Sequence, residues 1–212
     1  MTVLSPLWLA PEPLLLASGS ATRRDMLVAS GVPVETARPE VDERALEAPL
    51  AAQGVSRLAI AAALACAKAL AVSALRPGRI VLGADQTLET DAASGAEAWH
   101  KPADPAALRA QLAALSGRRH SLHAAFVLAR DGVILTDGAQ SAKLAMRSLT
   151  PGFIDAYVAQ AGDTLTGSVG GYRIESLGAQ LFDAVEGDHF TILGLPLLAV
   201  HAALRGLGLL RS

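Results

Sequence analysis

Aromatic side chains are scarce in this sequence, at 4% of 212 residues, which leaves little material for a platform on which successive bases could stack. There is no basic excess either. Lys and Arg number 18 against 20 Asp and Glu, for a net charge of −2, so the chain carries no electrostatic footprint for a long phosphate backbone. Polymeric nucleic acid is therefore not an expected partner. The single cysteine, Cys66, excludes an internal disulfide and reads as a small buried residue in a reducing compartment; no neighbouring base marks it as a nucleophile. The start of the chain lacks a positively charged region and is broken by Pro6, Pro11, Glu12 and Pro13, which argues against a signal peptide. The apolar run 58–75 is long enough to raise the question of a membrane span. Lys68 at its centre and its alanine content read instead as a buried helix, with no membrane partner expected.

What is present is apolar mass, 51% of residues, in alternating patterns. "PLLLAS" (13–18) reads as a short buried strand. A helix follows at 22–30, with Ser20 or Thr22 as N-cap and Gly31 and Pro33 as the stop. The extended piece "VPVETARPEVDE" leads through a linker to a long helix at about 56–75. "RIVLGAD" then reads as a strand ending on Asp85. Helices are expected at 105–115, 151–161 and 196–205, and Asp131-Gly132 between apolar runs marks a β-hairpin. Strand–helix alternation followed by a hairpin predicts an α/β fold with a mixed, partly antiparallel twisted sheet flanked by helices. No repeat or linker divides the chain, so a single domain is expected, with residues 1–12 as an N-terminal tail before the core.

Four features fall where α/β proteins gather ligands, at the ends of strands and the starts of helices. They are Ser18 to Arg24, Asp42-Glu43, Asp85-Gln86 and Lys101. Carboxylates beside cations at a helix start describe a site for a polyphosphate and its divalent metal, and a strand-terminal Asp can also take a proton from an attacking water. Each feature has a plainer reading. Arg23 and Arg24 are equally read as solvated charges, Lys68 as a snorkelling side chain, and Asp85 as a turn cap. His100, His120 and His123 lack metal-ligand spacing, and no P-loop or dinucleotide fingerprint occurs. Spacing alone defines a candidate phosphate site and no more.

The order of landmarks adds to this. "SGSATRRDML", "VDE" (41–43), "AKA" (67–69), "GADQT" (83–87), "KP" (101–102), "GGYRIESLG" (170–178) and "EGDHFTILGLPL" (186–197) succeed one another with sensible separations. Over about residues 13–205 the chain resembles the Maf family of nucleoside triphosphate pyrophosphatases. That resemblance implies a Maf/inosine triphosphatase-like core of two lobes with a cleft between them. It implies hydrolysis of a nucleoside triphosphate between the α and β phosphates, with Mg²⁺ or Mn²⁺, in a cytoplasmic homodimer. Carried over position by position, it makes Asp85 the proton acceptor and gives Ser18, Arg23, Lys68 and Lys101 to the triphosphate. Glu43, with Asp85, is then the acidic position near the metal.

Departures from one branch of the family point to the other. Thr22 stands at an arginine position, Gln86 follows Asp85 where a threonine is common, Ser168 replaces a lysine, and Glu175 replaces a glutamine. All four resemble the branch acting on 7-methyl-GTP, so Thr22, Gln86 and Glu175 are the expected specificity residues. A 7-methylguanine ring is cationic and presents two adjacent donors, which one carboxylate accepts; a uracil is matched by an amide and repelled by a carboxylate. Trp8, Trp99 and Tyr172 are the main aromatic candidates to accompany such a ring. The alternatives are the dTTP and UTP activity of the other branch, and a non-catalytic nucleotide-binding regulator of cell division.

Overall fold

The computed structural model describes residues 5–91, 99–161 and 168–212. One sheet of six strands runs through it in the order β2-β1-β3-β4-β5-β6. The strands are β1 (Leu14–Ala17), β2 (Val34–Thr36), β3 (Val81–Thr90), β4 (Arg119–Arg130), β5 (Val133–Met146) and β6 (Phe182–Glu186). β1 pairs parallel with both β2 and β3, and every later pairing is antiparallel. The expected mixed sheet flanked by helices is therefore what forms. Most of the expected acidic loop at 89–99 lies outside the described residues.

The helices are α1 (Ala21–Ala29), α2 (Glu43–Ala52), α3 (Arg57–Leu75), α4 (Pro105–Leu115), α5 (Pro151–Ala161), α6 (His189–Ile192) and α7 (Leu197–Gly206). Of the two candidate caps for α1, Ser20 serves: its hydroxyl accepts from Arg23 N at 3.3 Å. The Asp131-Gly132 hairpin is confirmed, with both residues at positive φ (53° and 76°), as a two-residue turn matching strand twist requires.

Two expectations need correction. Residues 43–52 form α2, not a linker, with Pro49 inside it; Asp42 caps it by accepting from Ala45 N at 3.0 Å. β3 does not stop at Asp85 but runs to Thr90, because β4 pairs with it along its whole length. The expected N-terminal tail, where it is described from Ser5 on, packs onto the rest of the chain. Trp8 is buried and bridges to Leu210, with Leu9 N donating to Leu209 O at 2.9 Å.

Close packing of α3 on the sheet sets the stage for the site. Ala61, Ala65 and Ala69 lie against Ala125, Val127 and Ala129 in one small-residue cluster, so the helix approaches closely. Gly83 is required there: a Cβ would collide with Ala65 O and lie 2.6 Å from Ala69 N. By composition and length α3 passes as a membrane span, yet half of its 18-residue apolar stretch is buried inside the protein. Larger apolar clusters fill the space elsewhere. One is built around Leu14, Leu16, Phe126 and Leu204, and another around Leu112, Leu122, Leu144 and Tyr172.

Candidate active site

β1 ends at Ala17, opposite Gly83. Among the described residues, β3 beyond that point keeps only β4 as a neighbour, and a crevice opens where the chain has gone to β2 on one side and returned to β3 on the other. Such a switch point is where open α/β sheets place ligands. Here it is a cleft of about 790 Å³, lined among others by Ser18, Thr22, Arg23, Glu43, Lys68, Asp85, Gln86, Lys101 and Glu175. All nine residues singled out from the sequence thus come together.

Asp85 and Gln86 are consecutive on a strand and so point to opposite faces of the sheet. Asp85 faces α3, where the Lys68 ammonium donates to its carboxylate. Lys68, buried, also meets Glu43 Oε1 at 2.8 Å, so one cation links a carboxylate from β3 with one from α2. Burial pushes the Asp85 carboxyl above its ordinary value, and the nearby charges of Lys68 and Arg23 offset this only in part. A carboxylate so placed is of the kind that can accept a proton.

Gln86 faces the other way. Its amide nitrogen donates to Thr191 O at 2.9 Å and Ile192 O at 3.0 Å, so both donors are spent on main chain. Arg23 reaches the same segment. Its Nε donates to Gly194 O at 2.8 Å, and its Nη1 to Ala84 O at 3.0 Å and Ser18 Oγ at 3.3 Å. Burial lowers the Arg23 guanidinium from its ordinary value, with Asp85 and Glu43 pulling it back. Arg24 turns away: it is exposed and pairs with Asp25 Oδ1 at 2.7 Å. Lys101 stands on the cleft wall, its ammonium lowered by partial desolvation and by the like charge of Arg23.

Glu175 and Arg173 are exposed along the cleft, and Trp99 is half-buried there. Tyr172 also lines it, but its ring is buried and its hydroxyl is bound to His120 Nε2 at 2.6 Å. Trp8 is in the core, its Nε1 donating to Glu12 O. His120 and His123 are both engaged elsewhere, His123 with Glu89 and Ser141.

Sequence reasoning missed several lining residues: Arg38 and Arg173, which add positive charge, and Glu47, whose Oε1 receives Arg57 Nη1 at 2.6 Å. Arg173 lay within the "GGYRIES" landmark and was legible as a cation near Glu175. Glu47 and Arg57 gave no signal, because only the fold brings them together.

Among the described residues no three His, Cys, Asp or Glu side chains cluster as a metal site. Asp85 and Glu43 nevertheless offer two hard carboxylate groups on one side of the cleft. That suits Mg²⁺ or Mn²⁺, which commonly takes one or two carboxylates and completes its shell with water and substrate phosphate.

An open α/β sheet whose switch-point cleft gathers Arg23, Lys68, Lys101 and two carboxylates defines a protein shaped to hold a small polyanion. Within that class, the chain belongs to the Maf family, whose model, described as Maf-like protein, matches residues 13–207. A 7-methyl-GTP pyrophosphatase from Mesorhizobium japonicum is 52% identical over 197 residues, covering 93% of this chain and 97% of the relative. A nucleoside triphosphate pyrophosphatase from Rhodopseudomonas palustris is 50% identical over 200 residues, covering 94% and 96%. Among solved structures, a HAM1 protein from Coxiella burnetii has a TM-score of 0.43 at 17% identity, over 63% of this chain and 72% of that one.

Proposed function

We propose that this Maf-family protein is a nucleoside triphosphate pyrophosphatase whose substrate is 7-methyl-GTP, cleaved between the α and β phosphates to 7-methyl-GMP and pyrophosphate. The observation that carries the reading is the buried Asp85 carboxylate joined to Lys68, with Arg23 and Lys101 around the same cleft.

Asp85 takes a proton from a water molecule as its oxygen bonds to the α phosphorus. The bond from that phosphorus to the α–β bridging oxygen breaks, and pyrophosphate leaves with the electron pair. Negative charge grows on the leaving group, and Arg23, Lys68 and Lys101 are fixed cations that stabilise it. Ser18, bonded to Arg23, helps hold the phosphates. Asp85 and Glu43 are the residues that would hold a divalent cation, Mg²⁺ or Mn²⁺, which when bound neutralises phosphate charge and supports departure of pyrophosphate. The base end is assigned to Glu175, whose carboxylate accepts the two adjacent donors of the ring and offsets its positive charge. Trp99, half-buried on the same cleft, supplies an aromatic face for a cationic ring. Thr22 leaves space and no charge where the other branch has an arginine. Gln86 acts on specificity through the 191–194 segment that its amide anchors.

The free Cys66 accords with a reducing cytoplasm, in which we place the activity, and a homodimer is the assembly we propose. Incubating the protein with 7-methyl-GTP and Mg²⁺ and resolving the products tests the chemistry. Equimolar 7-methyl-GMP and pyrophosphate are expected; 7-methyl-GDP with orthophosphate would refute the assigned bond cleavage.

A further inference from the structure

α2 is an unusual helix for its place. It begins at the cleft edge with Glu43, yet of its ten residues only Glu47 is buried. Its apolar residues are mostly alanine, with Leu46 exposed and Leu50 half-buried. Two ion pairs on one side tie it to α3, since positions four apart share a helix face. Glu43 meets Lys68 at 2.8 Å, and Glu47 meets Arg57 at 2.6 Å. Both cations are buried on α3, Arg57 at its first residue.

Glu47 does more than join two helices. Its other oxygen, Oε2, lies 3.8 Å from His100 Nδ1, next to Lys101. The Arg57 carbonyl in turn accepts from Thr87 Oγ1 at 2.8 Å, and Thr87 lies on β3 two residues after Asp85, on the same face. One buried pair therefore touches all four segments that carry Glu43, Lys68, Asp85 and Lys101. A buried ion pair is weak evidence for stability, because desolvation offsets most of the attraction. Its worth here is orientation.

We infer that Glu47 and Arg57 are positioning residues for the reaction: their ion pair sets the facing of α2, so that Glu43 stands against Lys68, and keeps the His100-Lys101 segment beside the cleft. This rests on the function proposed above, and it adds two residues that neither touch the phosphates nor take a proton.

A double-mutant cycle between Glu47 and Glu43 tests it, with unfolding temperature as the control for folding. Two quantities are read for Glu47→Ala, Glu43→Gln and the double variant: kcat/KM for 7-methyl-GTP, and the Kd of Mn²⁺ in the presence of pyrophosphate. Glu47→Ala should lose about 10–100-fold in both, the usual range for a residue that orients a ligand. In the Glu43→Gln background the same change should lose less than about twofold in Mn²⁺ affinity, because the partner it orients is already gone. Glu47→Gln, which keeps a hydrogen bond to Arg57, should recover most of the loss at an unfolding temperature near that of wild type. Equal losses in both backgrounds, or full activity in Glu47→Ala, would overturn the inference. Should the wild-type protein hydrolyse no nucleotide, the proposed function fails, and the Mn²⁺ cycle still decides whether Glu47 orients Glu43.

Discussion

Asp85 is a buried carboxylate held between opposing influences: burial lifts its pKa while Lys68 and Arg23 draw it down. The form that accepts a proton is the carboxylate, so kcat should rise with pH and level off once that form predominates. Replacing Lys68 with Met removes the largest cationic pull, and the rise should then move to higher pH in a kcat–pH profile. A move to lower pH would mean that Lys68 does not act on Asp85 as described. Asp85→Asn cannot accept the proton and should lower kcat about 10²–10⁴-fold, measured as pyrophosphate release at saturating substrate. Asp85 and Lys68 were legible in the sequence for chemical reasons, as a carboxylate closing an apolar run and a lysine inside an alanine helix. Glu47 and Arg57 were not, since ten positions of chain separate them and nothing in either neighbourhood distinguishes them from surface charges. Gln86 was legible as a position but not in its action, because only the fold shows its amide anchoring the carbonyls of Thr191 and Ile192.

At the level of elements, the contact of α3 with β3 governs the site. Gly83 permits it, and Gly83→Ala would force the helix outward against Ala65 and Ala69. Overpacking of this kind costs about 1–3 kcal/mol. The unfolding temperature should fall by roughly 2–4 °C for each kcal/mol in a chain of this size. Activity should fall further than stability accounts for, since Lys68 moves away from Asp85. A variant with lowered unfolding temperature and unchanged kcat would show that helix position does not set the Lys68–Asp85 contact. The long α3, β1 and the β4–β5 hairpin could be read from their own residues because local pattern and tertiary role agree. α2 could not: it carries Pro49, buries only Glu47, and is joined to α3 by two ion pairs. The end of β3 lies beyond what its own residues indicate, because its continuation depends on β4, a partner that the local sequence does not reveal.

Across the whole molecule, one buried group links stability to acidity away from the cleft. His120 is buried beside Tyr172 and Phe182, and burial lowers its pKa from 6.5 to about 4. Below pH 6.5 the unfolded chain takes up a proton that the folded protein refuses, so stability is full above that pH and is lost as pH falls towards 4. The loss reaches about 3 kcal/mol for a shift of this size. His120→Gln, which keeps a polar partner for Tyr172, should show a smaller fall in unfolding temperature between pH 7 and 4.5 than wild type; an equal fall would assign the acid sensitivity to other groups. The mixed sheet and its flanking helices were legible from the order of elements, whereas the pinning of Trp8 to Leu210 was not, because it joins opposite ends of the chain. The most direct measurement is pyrophosphate release with Mg²⁺ from 7-methyl-GTP, GTP, UTP and dTTP, by wild type and Glu175→Gln. Wild type should favour 7-methyl-GTP by about 100-fold or more in kcat/KM, and Glu175→Gln should lose that preference. A preference for UTP or dTTP, or equal loss on every substrate in Glu175→Gln, would contradict it.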